Sequence, residues 1–313
     1  MGGGFLLDTL AVIIPVYGEK EIVDVLYNRL LAVLKTLPIE YKIIYVNDNC
    51  PYGSGDELEK IALKDKNVTL INLSRNFGEA NAVKAGIDNC DADYAVIMDC
   101  DLQDLPEDIP ALYNKAKEGY EIVWGERIRR KDTHLKKFCS NMFYKLTNII
   151  SEIKIHKKVG SFSIISKKVI EELKKINDYT FNYIQMVEYL GFKKAYIPTI
   201  KEERPIGETS YTLAKGALLA LNIMVSTSNK PLLIPIISSF AMFGLCFFLI
   251  IAYTIITTLD INLSFDRYFI IAIISLFFAG ILFLNIGILG VYIGVILKET
   301  LSKPHYVIKD KRN

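Results

Sequence analysis

The sequence predicts an α/β domain built on a mostly parallel sheet, followed by two helices long enough to cross a membrane. Two observations carry this expectation. From residue 10 to about 125, short β-branched apolar runs alternate with amphipathic helical stretches, the pattern of parallel strands joined by crossover helices. From Pro231 to Leu297 only Asp260, Asp266 and Arg267 carry charge, far too few for a soluble domain of that length. At 51% hydrophobic and 23% charged residues over 313 positions, the chain is also too apolar to be disordered.

The elements follow in order. Leu10 to Pro15, Tyr41 to Asn47, Val68 to Ser74, Tyr94 to Asp99 and Glu121 to Gly125 are the β-branched apolar runs read as strands. Glu19 to Thr36, Gly55 to Asp65 and Asn76 to Asn89 read as the helices between them, the last two introduced by glycine-containing turns. Residues 126–230 are less regular. Within them, 126–175 hold 14 Lys or Arg against five acids, either a solvated face or a surface that meets phosphates or anionic headgroups. Thr212 to Thr227 is apolar at helical spacing and runs toward the first span, so it reads as an interfacial helix, the alternative being a helix packed on the soluble domain.

Leu232 to Leu259 and Tyr268 to Leu297 each exceed the roughly 20 residues that cross a bilayer core. The connector Asp260 to Arg267 holds two acids and one base, whereas Lys230 precedes the hairpin and Lys298, Lys303, Lys309, Lys311 and Arg312 follow it. The positive-inside tendency then places both ends and the soluble domain in the cytoplasm. The expected layout is a cytoplasmic α/β domain at 1–211, the interfacial helix at 212–230, two spans within 231–297 and a basic tail at 298–313. Gly280, Gly287, Gly290 and Gly294 lie on overlapping faces of the second span, suited to close helix packing within the hairpin or in a homo-oligomer.

Charge excludes one broad class of function. Residues 1–230 carry equal numbers of basic and acidic side chains, so nonspecific nucleic-acid binding has no electrostatic basis there. Cys50, Cys90, Cys100, Cys139 and Cys246 are odd in number and scattered, which fits a reduced compartment. The start of the chain carries neither a myristoylation signal nor a secretory leader, so the N-terminus is expected to stay on the cytoplasmic side.

The strongest chemical signal is Asp99-Cys100-Asp101-Leu102-Gln103-Asp104, directly after the expected fourth strand. Carboxylates clustered at a strand end are hard oxygen ligands suited to Mg²⁺ or Mn²⁺, commonly shared with substrate phosphates, and Gln103 adds a neutral oxygen. Such acids can equally cap the following helix. The context adds weight: Pro15-Val16-Tyr17-Gly18-Glu19, Val46-Asn47-Asp48 and Ser74-Arg75-Asn76-Phe77-Gly78 close the first three strands at the same edge. An acid there can accept from a base or ribose, an aromatic can stack, and Arg75 can grip phosphate.

Together these segments resemble the inverting family-2 glycosyltransferases of GT-A fold. The likeness is to the branch of dolichyl-phosphate mannose synthase and the bacterial undecaprenyl-phosphate glycosyltransferases. It runs through IIPVYGE (13–19), IIYVND (43–48), LSRNFGEANAVKAG (73–86), VIMDCDLQDLPEDIP (96–110), WGERIRR (124–130), GSFSIISKKV (160–169) and ERPIGETSYTLAK (203–215), and it includes the two-span hairpin. The resemblance implies that Pro15, Tyr17, Glu19 and Asp48 line a nucleoside pocket, with Asp48 facing the base and Arg75 at the same edge. It implies that Asp99, Asp101 and Gln103 hold Mg²⁺ or Mn²⁺ and the donor diphosphate. Arg127, Arg129 and Arg130 would meet the acceptor phosphate, and Arg204 and Ser210 would close over the donor.

The chain departs from the common pattern at Asn47-Asp48-Asn49-Cys50-Pro51-Tyr52, where relatives read Asp-Asp-Gly-Ser with a further Asp, and at Gly18, Ser161 and Ser210. The implied reaction moves a sugar from a UDP- or GDP-linked donor to polyprenyl phosphate at the cytoplasmic face of a bacterial inner membrane. Two other readings stay open: transfer to another lipid or a growing glycan, and an inactive nucleotide-sugar-binding scaffold.

Overall fold

The computed structural model describes residues 7–18, 20–127, 159–178, 181–200, 232–259, 267–301 and 303–312. The expected interfacial helix, the hairpin connector at 260–266 and the basic residues from 128 to 158 lie outside them. The chain divides into two units, an α/β unit that includes Lys303–Asn313 and a second unit that holds the apolar helices.

The α/β unit contains strands β1 (Thr9–Val16), β2 (Glu40–Asn47), β3 (Val68–Leu73), β4 (Tyr94–Ile97), β5 (Ile122–Arg127), β6 (Val159–Ser166), β7 (Lys194–Thr199) and β8 (Ile308–Arg312). They form one sheet in the order β7-β5-β6-β4-β1-β2-β3-β8. The pairs β1–β2, β1–β4, β2–β3 and β5–β7 are parallel, while β6 runs antiparallel between β4 and β5 and β8 runs antiparallel to β3. This is the α/β architecture that the sequence predicts, with the first three strands and the fifth within two residues of expectation. The fourth stops at Ile97, two residues short, which frees Asp99 from the sheet.

Both faces are covered, which is why the central strands are continuous apolar runs rather than alternating ones. Helices α1 (Lys20–Leu34), α2 (Ser54–Lys64) and α4 (Ile109–Lys117) pack Leu26, Leu30, Leu58 and Leu112 against Leu10, Val12 and Ile14. Helices α3 (Glu79–Asp88), α5 (Lys167–Lys175) and α6 (Tyr183–Tyr189) pack Val83, Leu173 and Val187 against the other face, lined by Ala11, Ile13 and Trp124. Alpha-3 lies especially close to β1: a Cβ added at Gly86 would come 2.3 Å from Ile13 Cγ2. Gly86→Ala is therefore expected to lower unfolding free energy by about 1–3 kcal/mol through overpacking. Urea titration followed by tryptophan fluorescence checks it, and an unchanged midpoint would refute it.

The structure corrects two expectations. Beta-6, α5, α6 and β7 are regular elements within the stretch read as less regular, and the basic tail is no tail, because its residues 308–312 form the β8 edge strand. Its Lys309, Lys311 and Arg312 are exposed, the charged edge that discourages pairing with other chains.

In the second unit, α7 (Leu233–Thr258) and α8 (Arg267–Thr300) are both long and apolar enough to cross a membrane. Large side chains such as Phe240, Phe243 and Leu276 are about three-quarters exposed, as suits contact with lipid rather than a protein core. The two helices share a polar contact, Ser238 Oγ donating to the largely buried Asn285 Oδ1 at 3.0 Å. A Cβ built on Gly280, Gly287, Gly290 or Gly294 would meet nothing within 4 Å, so these glycines do not serve close packing inside the hairpin.

Candidate active site at the carboxyl edge of the sheet

Strand order reverses at β1, whose neighbours β2 and β4 are reached by connections on opposite sides, and such a switch point opens a crevice beyond the carboxyl ends. Pro15 marks the opening. Beta-1 pairs with β4 only as far as Ile13, whose carbonyl accepts Met98 N–H at 3.2 Å, but stays paired with β2 to Val16. Residue 15 faces β4 by the two-residue strand period, and proline has no N–H to continue that ladder.

On the β4 side, Asp99 and Asp101 follow the strand. Beta-6 sets Asp99: the register Ile97↔Ser163 carries Ser161 alongside, and Ser161 Oγ donates to Asp99 Oδ1 at 2.9 Å. Asp101 Oδ1 accepts Gln103 N–H at 3.1 Å, across a turn in which Leu102 adopts φ 57°. A left-handed leucine costs roughly 1–2 kcal/mol, and its largely buried side chain offsets this. Strain of this kind concentrates at functional sites.

On the β2 side, Asp48 is only 2% exposed. Its Oδ1 accepts Phe77 N–H at 2.7 Å and its Oδ2 accepts Gly78 N–H at 2.8 Å, which ties the loop after β2 to the loop that enters α3. Burial raises the Asp48 carboxyl above its ordinary value, against the pull of those two amides and of Arg75. Arg75 lies over the Phe77 ring, its Cζ 4.1 Å from the centroid, and donates to Asn76 O at 3.1 Å. Cys50 joins the first two loops, its Sγ accepting from Gly18 N at 3.2 Å and Tyr52 N at 3.4 Å. Tyr17 and Tyr52, 53% and 66% exposed, meet edge to face at 6.4 Å between centroids and form an aromatic rim.

Of the residues singled out in the sequence, the structure brings Pro15, Tyr17, Asp48, Arg75, Asp99, Asp101 and Gln103 to this one edge. Glu19, Arg129, Arg130, Arg204 and Ser210 lie outside the described residues, as does the side chain of Arg127. Sequence reasoning missed Ser161, Cys50 and Tyr52 as contributors. Ser161 is found through strand register, and the other two through a loop whose turn depends on Asn49 at φ 52° and Gly53 at φ 83°.

The donor set suits a hard divalent cation. Asp99 and Asp101 are carboxylates whose orientations are fixed by Ser161 and by Gln103 N–H. Among the described residues no three His, Cys, Asp or Glu side chains form a complete cage. Two carboxylates are the usual protein share of a Mg²⁺ site, the remaining positions going to waters and substrate phosphate oxygens.

Comparison with known proteins decides the family. Residues 11–174, just over half of the chain, match glycosyl transferase family 2. The chain belongs to that family. The match runs from β1 into α5 and takes in every described residue of the edge site, and the sheet is mixed and mostly parallel, as the resemblance implies. Similarity continues beyond it. The glycosyltransferase YkcC of Bacillus subtilis is 33% identical over 303 residues, covering 96% of this chain and 93% of that protein. A bactoprenol glucosyl transferase of Shigella phage SfX is 30% identical over 304 residues, covering 97% and 99%. Among solved structures, glucosyl-3-phosphoglycerate synthase from Mycobacterium tuberculosis overlaps 70% of this chain and 76% of that one, at 12% identity and a TM-score of 0.49.

Proposed function

We propose that this protein transfers a sugar from a UDP- or GDP-linked donor to a polyprenyl phosphate of the undecaprenyl type, at the cytoplasmic face of a bacterial inner membrane. The carrying observation is the end-to-end match to the phage bactoprenol glucosyl transferase, which takes in the α/β unit and both apolar helices. A lipid acceptor gives a reason for the hairpin, and the Lys and Arg residues flanking it support cytoplasmic ends.

In this reading the nucleoside lies against the Tyr17–Tyr52 rim, beside the loops joined by Asp48 and Cys50. Arg75 swings from the Phe77 ring to the diphosphate, and Arg204 and Ser210 close over the donor. Asp99, Asp101 and Gln103 hold Mg²⁺ or Mn²⁺, which when bound neutralises charge on the leaving diphosphate. Arg127, Arg129 and Arg130 bind the lipid phosphate. Its second pKa of about 6 leaves the attacking oxygen anionic at neutral pH, so the protein supplies alignment rather than a base. Attack from the face opposite the diphosphate forms a bond between the anomeric carbon and the lipid phosphate oxygen. The bond to the diphosphate breaks, the anomeric centre inverts, and the nucleoside diphosphate leaves.

The test is transfer from radiolabelled UDP- and GDP-sugars to undecaprenyl phosphate by the intact protein. One sugar per lipid phosphate is expected in the organic phase, lost with EDTA and restored by Mg²⁺ or Mn²⁺. Nucleotide-sugar binding without transfer to any polyprenyl phosphate would overturn the proposal.

A further inference from the structure

We propose that Asp310, on the last strand of the sheet, is a positioning residue for the loop after β2, acting through two asparagine amides. This rests on the reading of that loop as part of the donor site. The connection is a continuous row of hydrogen bonds. Asn72 Nδ2 donates to Asp310 Oδ1 at 2.7 Å, Asn47 Nδ2 donates to Asn72 Oδ1 at 2.8 Å, and Cys50 N–H donates to Asn47 Oδ1 at 3.0 Å. Asn47 is largely buried, and the β3–β8 register sets Asn72 opposite Asp310.

The polarity of the row comes from its far end. A carboxylate only accepts, whereas an amide can present either its oxygen or its nitrogen. Asp310 therefore obliges Asn72 to turn its nitrogen outward along the sheet and its oxygen toward Asn47. Asn47 must then offer its nitrogen to Asn72, which leaves its oxygen for Cys50 N–H. Reversing either amide would set donor against donor or acceptor against acceptor. The Asn47 amide is also held close to α2, since a Cβ at Gly55 would come 2.8 Å from Asn47 Nδ2. At the near end, Cys50 Sγ receives the N–H groups of Gly18 and Tyr52, so the place of Cys50 sets both loops of the aromatic rim. A residue that follows the membrane hairpin in sequence thus sets the loop geometry 260 positions earlier.

The experiment uses the full chain in detergent, with Asp310→Ala, Asp310→Asn, Asn72→Ala and a control, Arg312→Ala. The control removes the Arg312–Glu59 ion pair of 2.9 Å from the same strand and leaves the row untouched. One readout needs no activity: the rate at which iodoacetamide labels Cys50, followed by peptide mass spectrometry. The other is the donor KM against kcat. Asp310→Ala and Asn72→Ala are expected to speed Cys50 labelling and to raise donor KM, each roughly three- to tenfold, the worth of one hydrogen bond. Because the loop meets only the donor, kcat should stay within about twofold.

Asp310→Asn keeps an acceptor oxygen but no longer forbids the reversed row, so both readouts are expected between those of Asp310→Ala and wild type, and Arg312→Ala is expected to leave them at wild type. Unchanged Cys50 labelling in Asp310→Ala, or equal effects of Asp310→Ala and Arg312→Ala, would overturn the proposal. Labelling of the buried Cys90 marks a chain that has unfolded, and the comparison then passes to Asn72→Ala. If no donor is turned over by wild type yet Cys50 responds as expected, the proposed function fails and the row of hydrogen bonds stands.

Discussion

Alanine at Asp101 is expected to lower sugar transfer by about a thousandfold or more, because the lost carboxylate takes with it several kcal/mol of charge stabilisation at the leaving diphosphate. Asp101 holds two tasks that the substitution removes together: with Asp99 it is one of the two acids assigned to the metal in the proposed site, and its Oδ1 fixes the turn by accepting Gln103 N–H. Asp101→Asn separates them. The amide oxygen can still accept Gln103 N–H, so the turn persists while the negative charge is gone. If charge is the larger contribution, Asn is nearly as damaging as Ala, and added Mn²⁺ recovers little in either variant. Initial rates at saturating donor and lipid decide the matter; a loss smaller than tenfold in Asp101→Ala would remove this acid from the chemistry.

The second large effect concerns stability. Lys84 on α3 is 1% exposed, and its ammonium donates to Asp88 Oδ1 at 2.6 Å, to Leu173 O at 3.0 Å and to Lys174 O at 3.2 Å. All three of its donors are used, two of them on carbonyls at the carboxyl end of α5, where a cation also meets the negative end of the helix dipole. Lys84→Met keeps an unbranched side chain one atom shorter and removes the charge. Among the described residues Asp88 would be left with Tyr306 Oη, at 2.9 Å, as its side-chain partner, and the two helix-end carbonyls would lose the Lys84 donor. Because Asp88 keeps 24% of its side chain exposed, water takes up part of the loss, and the cost is about 1–3 kcal/mol for the groups left without a partner, or roughly 2–12 °C in Tm for a domain of this size. Thermal unfolding in detergent measures it; a shift below about 2 °C would show that the pair is replaceable by packing.

The parts of the fold that were legible in the sequence are those whose signal is local. Beta-1 to β4 are short apolar runs buried on both faces, and α1 to α3 bury one stripe each, so periodicity alone reveals them. Beta-6 escapes because Ser161, Ser163 and Ser166 interrupt its apolar run; Ser161 is there to meet Asp99, and Ser163 Oγ to meet Tyr183 Oη at 2.7 Å. Beta-8 escapes for a different reason. Ile308–Arg312 reads as a charged tail because an edge strand needs few apolar residues, and its partner β3 lies more than 230 positions away. The site divides in the same way. Asp48, Asp99 and Asp101 stand at strand ends where chemistry is expected, whereas the contributions of Ser161, Cys50 and Asp310 exist only through strand register and loop conformation.

Beta-8 also bears on how the molecule is made. During synthesis the open edge of β3, with its unpaired N–H and C=O groups, waits while the apolar hairpin is translated, because the strand that covers it follows the hairpin in sequence. The sheet can be completed only once both apolar helices have left the ribosome. Completion of the catalytic unit is thereby a late, long-range step, of the slow kind that follows from high contact order. A nascent chain stalled or cleaved within the hairpin carries an exposed strand edge. Such an edge is a template for pairing with other chains, so a product cut short within the hairpin is more prone to aggregate than one that carries β8.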